Sequence, residues 1–185
     1  MRLSVITSNP GKAREYAELF EGTGIEAVHA PNPYDEVQSD RLEEVVRKGM
    51  GELRGRGLSD FIIDDSGLFI DSLKGFPGVW SAYAQKTIGN AGILRLMEGA
   101  GGRSARFRCC IGCSIGGEDL IVSGECEGVI LESERGAGGF GFDPVFSSDG
   151  ERSFSEIPQG EKNRVSHRAV AMAALMAELR SRSLI

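Results

Sequence analysis

The chain reads as an α/β protein built on a mixed β-sheet flanked by helices. Three observations lead there. The first third alternates short apolar runs with amphipathic helical stretches. The middle carries two long strand-like runs on either side of a Gly-Gly-Glu turn, and the chain closes on one helix-patterned segment. Alternation favours a sheet covered by helices, whereas a long hairpin adds antiparallel pairing to it.

The elements follow in order. Leu3, Val5 and Ile6 mark a strand over 2–7, which hands over to a helix over 11–21 through the polar turn Ser8–Asn9. A strand over 25–29 precedes a helix over 40–56, where Leu42, Val45, Val46, Gly49 and Leu53 share one face at helical spacing. Phe61 to Ile63 begin a strand over 60–64. "ARFRCCIGCSI" and "DLIVSGECEGVIL" flank the hairpin turn. Residues 166–182 form the closing helix, with Ser166 as N-cap and Met172, Leu175, Met176 and Leu179 toward the core. No Pro/Gly/Ser linker, repeat or low-complexity tract divides the 185 residues, so 1–185 is read as one folding unit, with two lobes and a cleft between them.

Composition narrows the function. A net charge of −6 argues against non-specific nucleic-acid binding but leaves room for a small anion held by clustered cations. No apolar run reaches the ~20 residues of a membrane span, and Asn9 and Lys12 come too early for a signal peptide's apolar stretch, so a cytoplasmic protein with no membrane partner is expected. Cys110 and Cys113 form a lone C-x-x-C inside a strand pattern. Positions three apart on a strand face opposite ways, so all four cysteines are read as small buried hydrophobes.

Three motif matches fail. "PGKA" lacks the first P-loop glycine, since Ile6 stands there, and Ala13 stands where Ser or Thr is needed. "GAGGFG" at 136–141 is followed by "FDPVF", not a helix. "GECEG" around Cys126 sits within a strand.

Four segments carry chemistry. In the first, Ser8, Asn9 and Lys12 stand where a strand meets a helix. Either Ser8 or Asn9 simply caps that helix and Lys12 is solvated, or the helix start is a phosphate site. In the second, Glu36 precedes helix 40–56 and Lys48 lies in it; spacing alone reads them as surface charge. The third, "DDSGL" at 64–68, puts two acids after an apolar strand beside Ser66, an oxygen-rich arrangement that suits Mg²⁺; Asp64 and Asp65 point opposite ways, and Asp71 is a third candidate. "GFPGVWSAY" then makes a rigid turn that exposes aromatic rings. The fourth is a pair. "GGFGFDPVF" sets Phe140 and Phe142 among glycines, Gly141 included, with Asp143 before Pro144; "EKNRVSHRA" places Lys162, Ser166, His167 and Arg168 at or just before a helix start. Cations for phosphates, acids for a metal and a ring for a base together describe a nucleoside triphosphate with Mg²⁺.

These blocks resemble the inosine triphosphate pyrophosphatase family. "TSNPGK" is similar to its S/T-x-N-x-x-K motif; "DDSGL", "GFPGVWSA", "GFGFDPVF" and "KNRVSHR" follow in order from residue 3 to about 180. Trp80 replaces the usual Tyr, and Val170 stands where several relatives are polar. The resemblance implies an elongated mixed sheet in two lobes with a central active-site cleft, usually in a homodimer. It implies Mg²⁺-dependent hydrolysis of ITP, dITP and XTP to the monophosphate and pyrophosphate; the alternative is a pyrophosphatase for other modified nucleotides. Thr7, Ser8, Asn9, Lys12, Lys48 and Ser66 would then meet the triphosphate, and Glu36 and Asp65 the metal. Asp65 would also activate water, with Lys12 and Lys48 assisting catalysis. Phe140, Gly141, Phe142, Asp143, Lys162, Ser166, His167 and Arg168 would line the base and phosphate pocket.

Overall fold

The structure, a computed structural model, describes residues 1–35 and 37–185. The strands are β1 (Arg2–Ile6), β2 (Glu26–Ala30), β3 (Phe61–Ile70), β4 (Ser104–Ile115), β5 (Glu118–Ile130) and β6 (Phe146–Ser147). The helices are α1 (Pro10–Leu19), α2 (Leu42–Gly55), α3 (Ser81–Thr87), α4 (Gly89–Leu96), α5 (Gln159–Val165) and α6 (His167–Ser181). One sheet runs in the order β2-β1-β3-β4-β5-β6. It is mixed, as expected: β1 is parallel to β2 and to β3, whereas β6 is antiparallel to β5. Gly116 and Gly117, at φ +57° and +83°, supply the two left-handed residues that a tight β4–β5 hairpin requires. No helix among the described residues is long and apolar enough to cross a membrane.

The chain divides into two compact units. Unit 1 comprises Met1–Asp65, Cys109–Gly124 and Arg168–Ile185; unit 2 comprises Ser66–Arg108 and Glu125–His167.

In unit 1 the strands bury both faces. Leu3, Val5, Ile62, Cys109, Ile111 and Cys113 belong to one cluster with Tyr16 and Phe20 of α1 and Ala171, Met172, Leu175, Met176 and Leu179 of α6. The closing helix thus buries the four residues that its periodicity selected. The alternate strand positions meet α2: a Cβ on Gly112 would lie 2.3 Å from Met50 Sδ, and one on Gly49 2.9 Å from Ile63 Cδ1. Glycine on the core face of α2 lets helix and sheet approach closely. All four cysteines are buried free thiols.

In unit 2 the core gathers Leu68, Ile70, Phe107, Phe142, Phe146 and Phe154 with Ile93 and Met97. Phe107 meets Phe146 edge-on at 4.6 Å between centroids and stacks near-parallel on Phe154 at 6.2 Å. Phe76, Trp80 and Tyr83 are exposed, as the rigid turn suggests.

Three boundaries depart from the sequence reading. β3 does not stop at residue 64 but continues through Asp-Asp-Ser-Gly to Ile70. Here packing overrides turn chemistry: Gly67 lies so close to its neighbour that a Cβ would sit 2.1 Å from Gly78 O, and Leu68 N–H donates to Ser81 Oγ at 2.8 Å. Helices α3 and α4 fill a stretch with no helix assigned from sequence. Lys162 lies within a separate short helix, α5, and Ser166 stands between α5 and α6 with extended dihedrals of −69° and 153°. Gly67→Ala should therefore destabilise the protein by about 1–3 kcal/mol through overpacking, read as a lower urea midpoint; an unchanged midpoint would show that this contact yields freely.

Candidate active site

Strand parity separates the two consecutive acids of β3. Asp64 shares the parity of Ile62 and enters the layer of α1 and α6; Asp65 shares that of Ile63 and turns toward the α2 layer.

Asp64 is 6% exposed and stands among cations. Lys12 Nζ lies 3.1 Å from its Oδ2 and donates to its main-chain oxygen at 3.0 Å. Arg168 donates to the same Oδ2 from Nε at 3.3 Å and from Nη2 at 3.2 Å, and from Nη1 to Glu15. Burial alone would raise the Asp64 carboxyl, but the Lys12 ammonium and the Arg168 guanidinium more than offset it and hold it below the ordinary carboxylate value. Tyr16 and Cys109 complete the cluster; burial, reinforced by the Asp64 charge, pushes both well above their usual values. Of the two alternatives for this turn, a fully solvated Lys12 is not what the geometry shows.

The turn before α1 is capped by Asn9. Its Oδ1 accepts from Gly11 N at 2.8 Å and Lys12 N at 3.2 Å, while Thr7 Oγ1 accepts from Asn9 N at 3.1 Å. Capping uses the amide oxygen of Asn9 and leaves its NH₂ as a donor, so the cap and an anion site are compatible. Ser8 is exposed, Thr7 half-buried.

Asp65 is half-buried. The Cys110 thiol is pushed up to about 11, first by burial and then by the carboxylates of Glu43, Asp65 and Asp64, against a lowering Ser123 hydrogen bond. Lys48 of α2 is exposed. Glu36 lies outside the described residues.

Unit 2 holds the other group. Lys162 and Asp143 are 1% and 3% exposed, with Lys162 Nζ 2.6 Å from Asp143 Oδ2. That oxygen also accepts from Phe140 N at 2.8 Å. Lys162 Nζ stands 4.9 Å above the Phe140 ring and 5.5 Å above that of Phe154. Gly139, at φ +69°, has no room for a Cβ, which would fall 2.2 Å from Asp143 Oδ2. Gln85 Nε2 donates to Gly141 O at 3.1 Å. Phe140 is half-buried, whereas Phe142 is 4% exposed and packs in the core. His167 is 4% exposed and stacks on Phe107 at 4.7 Å with an interplanar angle of 14°. Ser166 is 1% exposed, and Ser66 is half-buried.

Comparison with known families settles the chain's membership. A model of the Ham1 family matches residues 3–178. The chain belongs to the Ham1 family. It is 48% identical over 181 residues to a dITP/XTP pyrophosphatase of Pyrococcus horikoshii, covering 97% of each chain. It is 48% identical over 173 residues to a dITP/XTP pyrophosphatase of Thermococcus kodakarensis, covering 93% of this chain and 94% of that one. A solved Ham1 protein from Coxiella burnetii superposes with a TM-score of 0.80 at 31% identity over 98% of this chain and 99% of that one. The resemblance carried by the five ordered sequence blocks is borne out.

Within this Ham1-family chain, sequence reasoning missed Asp64 as an ion-paired residue, and missed Glu15 and Glu43 altogether. Glu15 reads as one more acid on a polar helix, and its partner Arg168 stands 153 positions away. Glu43 lies four positions after the Ser39 that begins the helix segment's polar lead, and nothing in that spacing singles it out.

The acids suit a hard cation unequally. Asp64 is held by two cations, Lys12 and Arg168, and lies on the opposite face of β3 from Asp65. Mg²⁺ needs only one or two carboxylates when phosphate oxygens and water complete its shell, and an all-oxygen donor set fits it.

Proposed function

We infer that this protein hydrolyses deaminated purine nucleoside triphosphates, ITP, dITP and XTP, to the monophosphate and pyrophosphate, removing them from the nucleotide pool. The observation that carries this is the 48% identity to dITP/XTP pyrophosphatases across almost the whole of both chains.

The geometry supports a division of roles. Phosphate oxygens are assigned to Lys12, Lys48, Thr7, Ser8, Ser66 and the Asn9 amide, and the cations stabilise charge that develops on departing pyrophosphate. Asp65 orients and deprotonates the attacking water, and with Glu36 would hold Mg²⁺. When bound, that ion neutralises phosphate charge. Phe140 offers a stacking face for the base, worth about 1–3 kcal/mol. Gly141 leaves the approach to that ring open, Phe142 supports it from the core, and Asp143 and Lys162 hold it. Ser166 and His167 supply polar contacts to the base, whereas Arg168, buried and tied to Asp64 and Glu15, acts on the phosphate side through those carboxylates.

Position 6 of the purine gives discrimination. Hypoxanthine and xanthine carry an acceptor oxygen there and a donor N1–H; adenine reverses both. Of the two donors the sequence suggests, Arg168 is tied to Asp64 and Glu15, so a donor from His167 is the one left unpaired when ATP binds, and such mismatches discriminate by about 10⁴-fold. A cytoplasmic homodimer acting on free nucleotides, without nucleic-acid or membrane partners, completes the reading; the acidic charge balance supports the exclusion of nucleic acid.

One assay tests it: ITP, XTP, ATP, GTP, dTTP and UTP with Mg²⁺, scoring pyrophosphate against orthophosphate. ITP and XTP should yield pyrophosphate at least ~10²-fold faster than ATP. Faster turnover of dTTP or UTP, or release of orthophosphate alone, overturns the assignment.

A further inference from the structure

We propose that Asp64 is a positioning residue that sets the direction of the Lys12 ammonium. The proposal rests on the reading that Lys12 meets the substrate's phosphates.

An ammonium has three N–H donors. Lys12 donates one of them to the Asp64 main-chain oxygen at 3.0 Å, and its Nζ stands 3.1 Å from the Asp64 carboxylate as an ion pair. A hydrogen bond and an ion pair to one strand residue narrow the directions left to the remaining N–H groups. The lysine side chain is 15% exposed, so it is largely packed without being sealed from solvent. Asp64 itself is 1% exposed at the side chain and acts through Lys12.

The carboxylate is held in turn. Arg168 donates twice to the oxygen that Lys12 uses, and the same guanidinium is tied to Glu15. Lys12 and Glu15 are three residues apart on α1, hence on one helix face. The four side chains close a ring with α1: Lys12 to Asp64, Asp64 to Arg168, Arg168 to Glu15. Two positive and two negative groups balance, so the ring can be buried. A lysine ordered in advance also spares the rotamer entropy that a flexible one loses on meeting a phosphate.

A double-mutant cycle on ITP hydrolysis tests the proposal, with Asp64→Asn, Lys12→Met and the pair. Asp64→Asn preserves shape and the main-chain contact but removes the charged anchor. It should lower kcat/KM about 10- to 100-fold, the usual loss when a reacting group is misplaced by ~1 Å. In the Lys12→Met background it should cause no further loss, because the residue through which it acts is gone. Losses that multiply would assign Asp64 a separate role and overturn the proposal, as would unchanged kcat/KM in Asp64→Asn. A second measurement does not depend on that variant folding. In wild-type protein labelled with ¹⁵N-lysine, a slowly exchanging side-chain ammonium should be present and vanish in Lys12→Met; a Lys12 ammonium exchanging as fast as the surface lysines overturns the proposal. A wild-type chain inert on ITP would instead sink the functional reading itself.

Discussion

Asp65→Asn should abolish ITP turnover while leaving nucleotide binding measurable. The fold treats two adjacent acids of β3 differently. Asp64 faces the layer of α1 and α6, where Lys12 and Arg168 neutralise it, and its carboxyl is held below the usual range. Asp65 faces the other way and is half-buried. A carboxylate already shared by two cations is a poor base and a poor metal ligand, which is why the proposed mechanism assigns the water to Asp65. Asparagine keeps the shape of the side chain and loses both its charge and its capacity to take a proton. General-base catalysis contributes about 10²- to 10⁴-fold, and a weakened hold on Mg²⁺ adds to that loss. Calorimetry with ITP should still detect binding, since the cations and Phe140 are untouched. A variant that turns over ITP at the wild-type rate removes Asp65 from the mechanism.

The same strand shows what the sequence could and could not reveal. Apolar alternation located β1, β2, the hairpin of β4 and β5, and the buried face of α6, because each of those segments packs locally in the way that its period implies. Asp-Ser-Gly reads as a turn, and its extension as strand depends on Gly78 and Ser81, which no local pattern announces. Helices α3 and α4 have only seven and eight residues, two of those in α4 being glycine, so the sequence offers too few turns to show a period and their existence depends on tertiary packing. Site residues divide along the same line. Residue type and order singled out Lys12, Asp65, Phe140, Asp143 and Lys162 as candidates. The pairing of Asp64 with Arg168 spans 104 positions, and that of Glu15 with Arg168 spans 153; only the fold joins them. Phe142, an aromatic among glycines that suggests a ligand face, packs in the core cluster behind Phe140's segment.

Asp143→Ala should cause the largest loss of stability among single changes near the base-side group. Asp143 Oδ2 accepts from the Lys162 ammonium at 2.6 Å and from Phe140 N–H at 2.8 Å. Both side chains of the ion pair are almost fully buried, so removing one leaves a charge that water cannot reach. Breaking such a pair costs about 3–5 kcal/mol. For a chain of this length, that lowers the thermal midpoint by roughly 10 °C. Solvent screening cannot soften the effect, as it does for the exposed ion pairs of Arg152 or Arg182. The double change Asp143→Leu with Lys162→Met replaces the pair by apolar groups of similar bulk and should recover most of the lost stability. It should not recover function, because the Phe140 amide has lost its acceptor and the ring its cation at 4.9 Å. Preference for ITP over ATP should fall at least tenfold in the double variant even where its thermal midpoint is normal. An Asp143→Ala protein that melts with the wild type would show that the pair contributes nothing. A stable double variant with wild-type ITP preference would mean that Asp143 and Lys162 serve the fold alone.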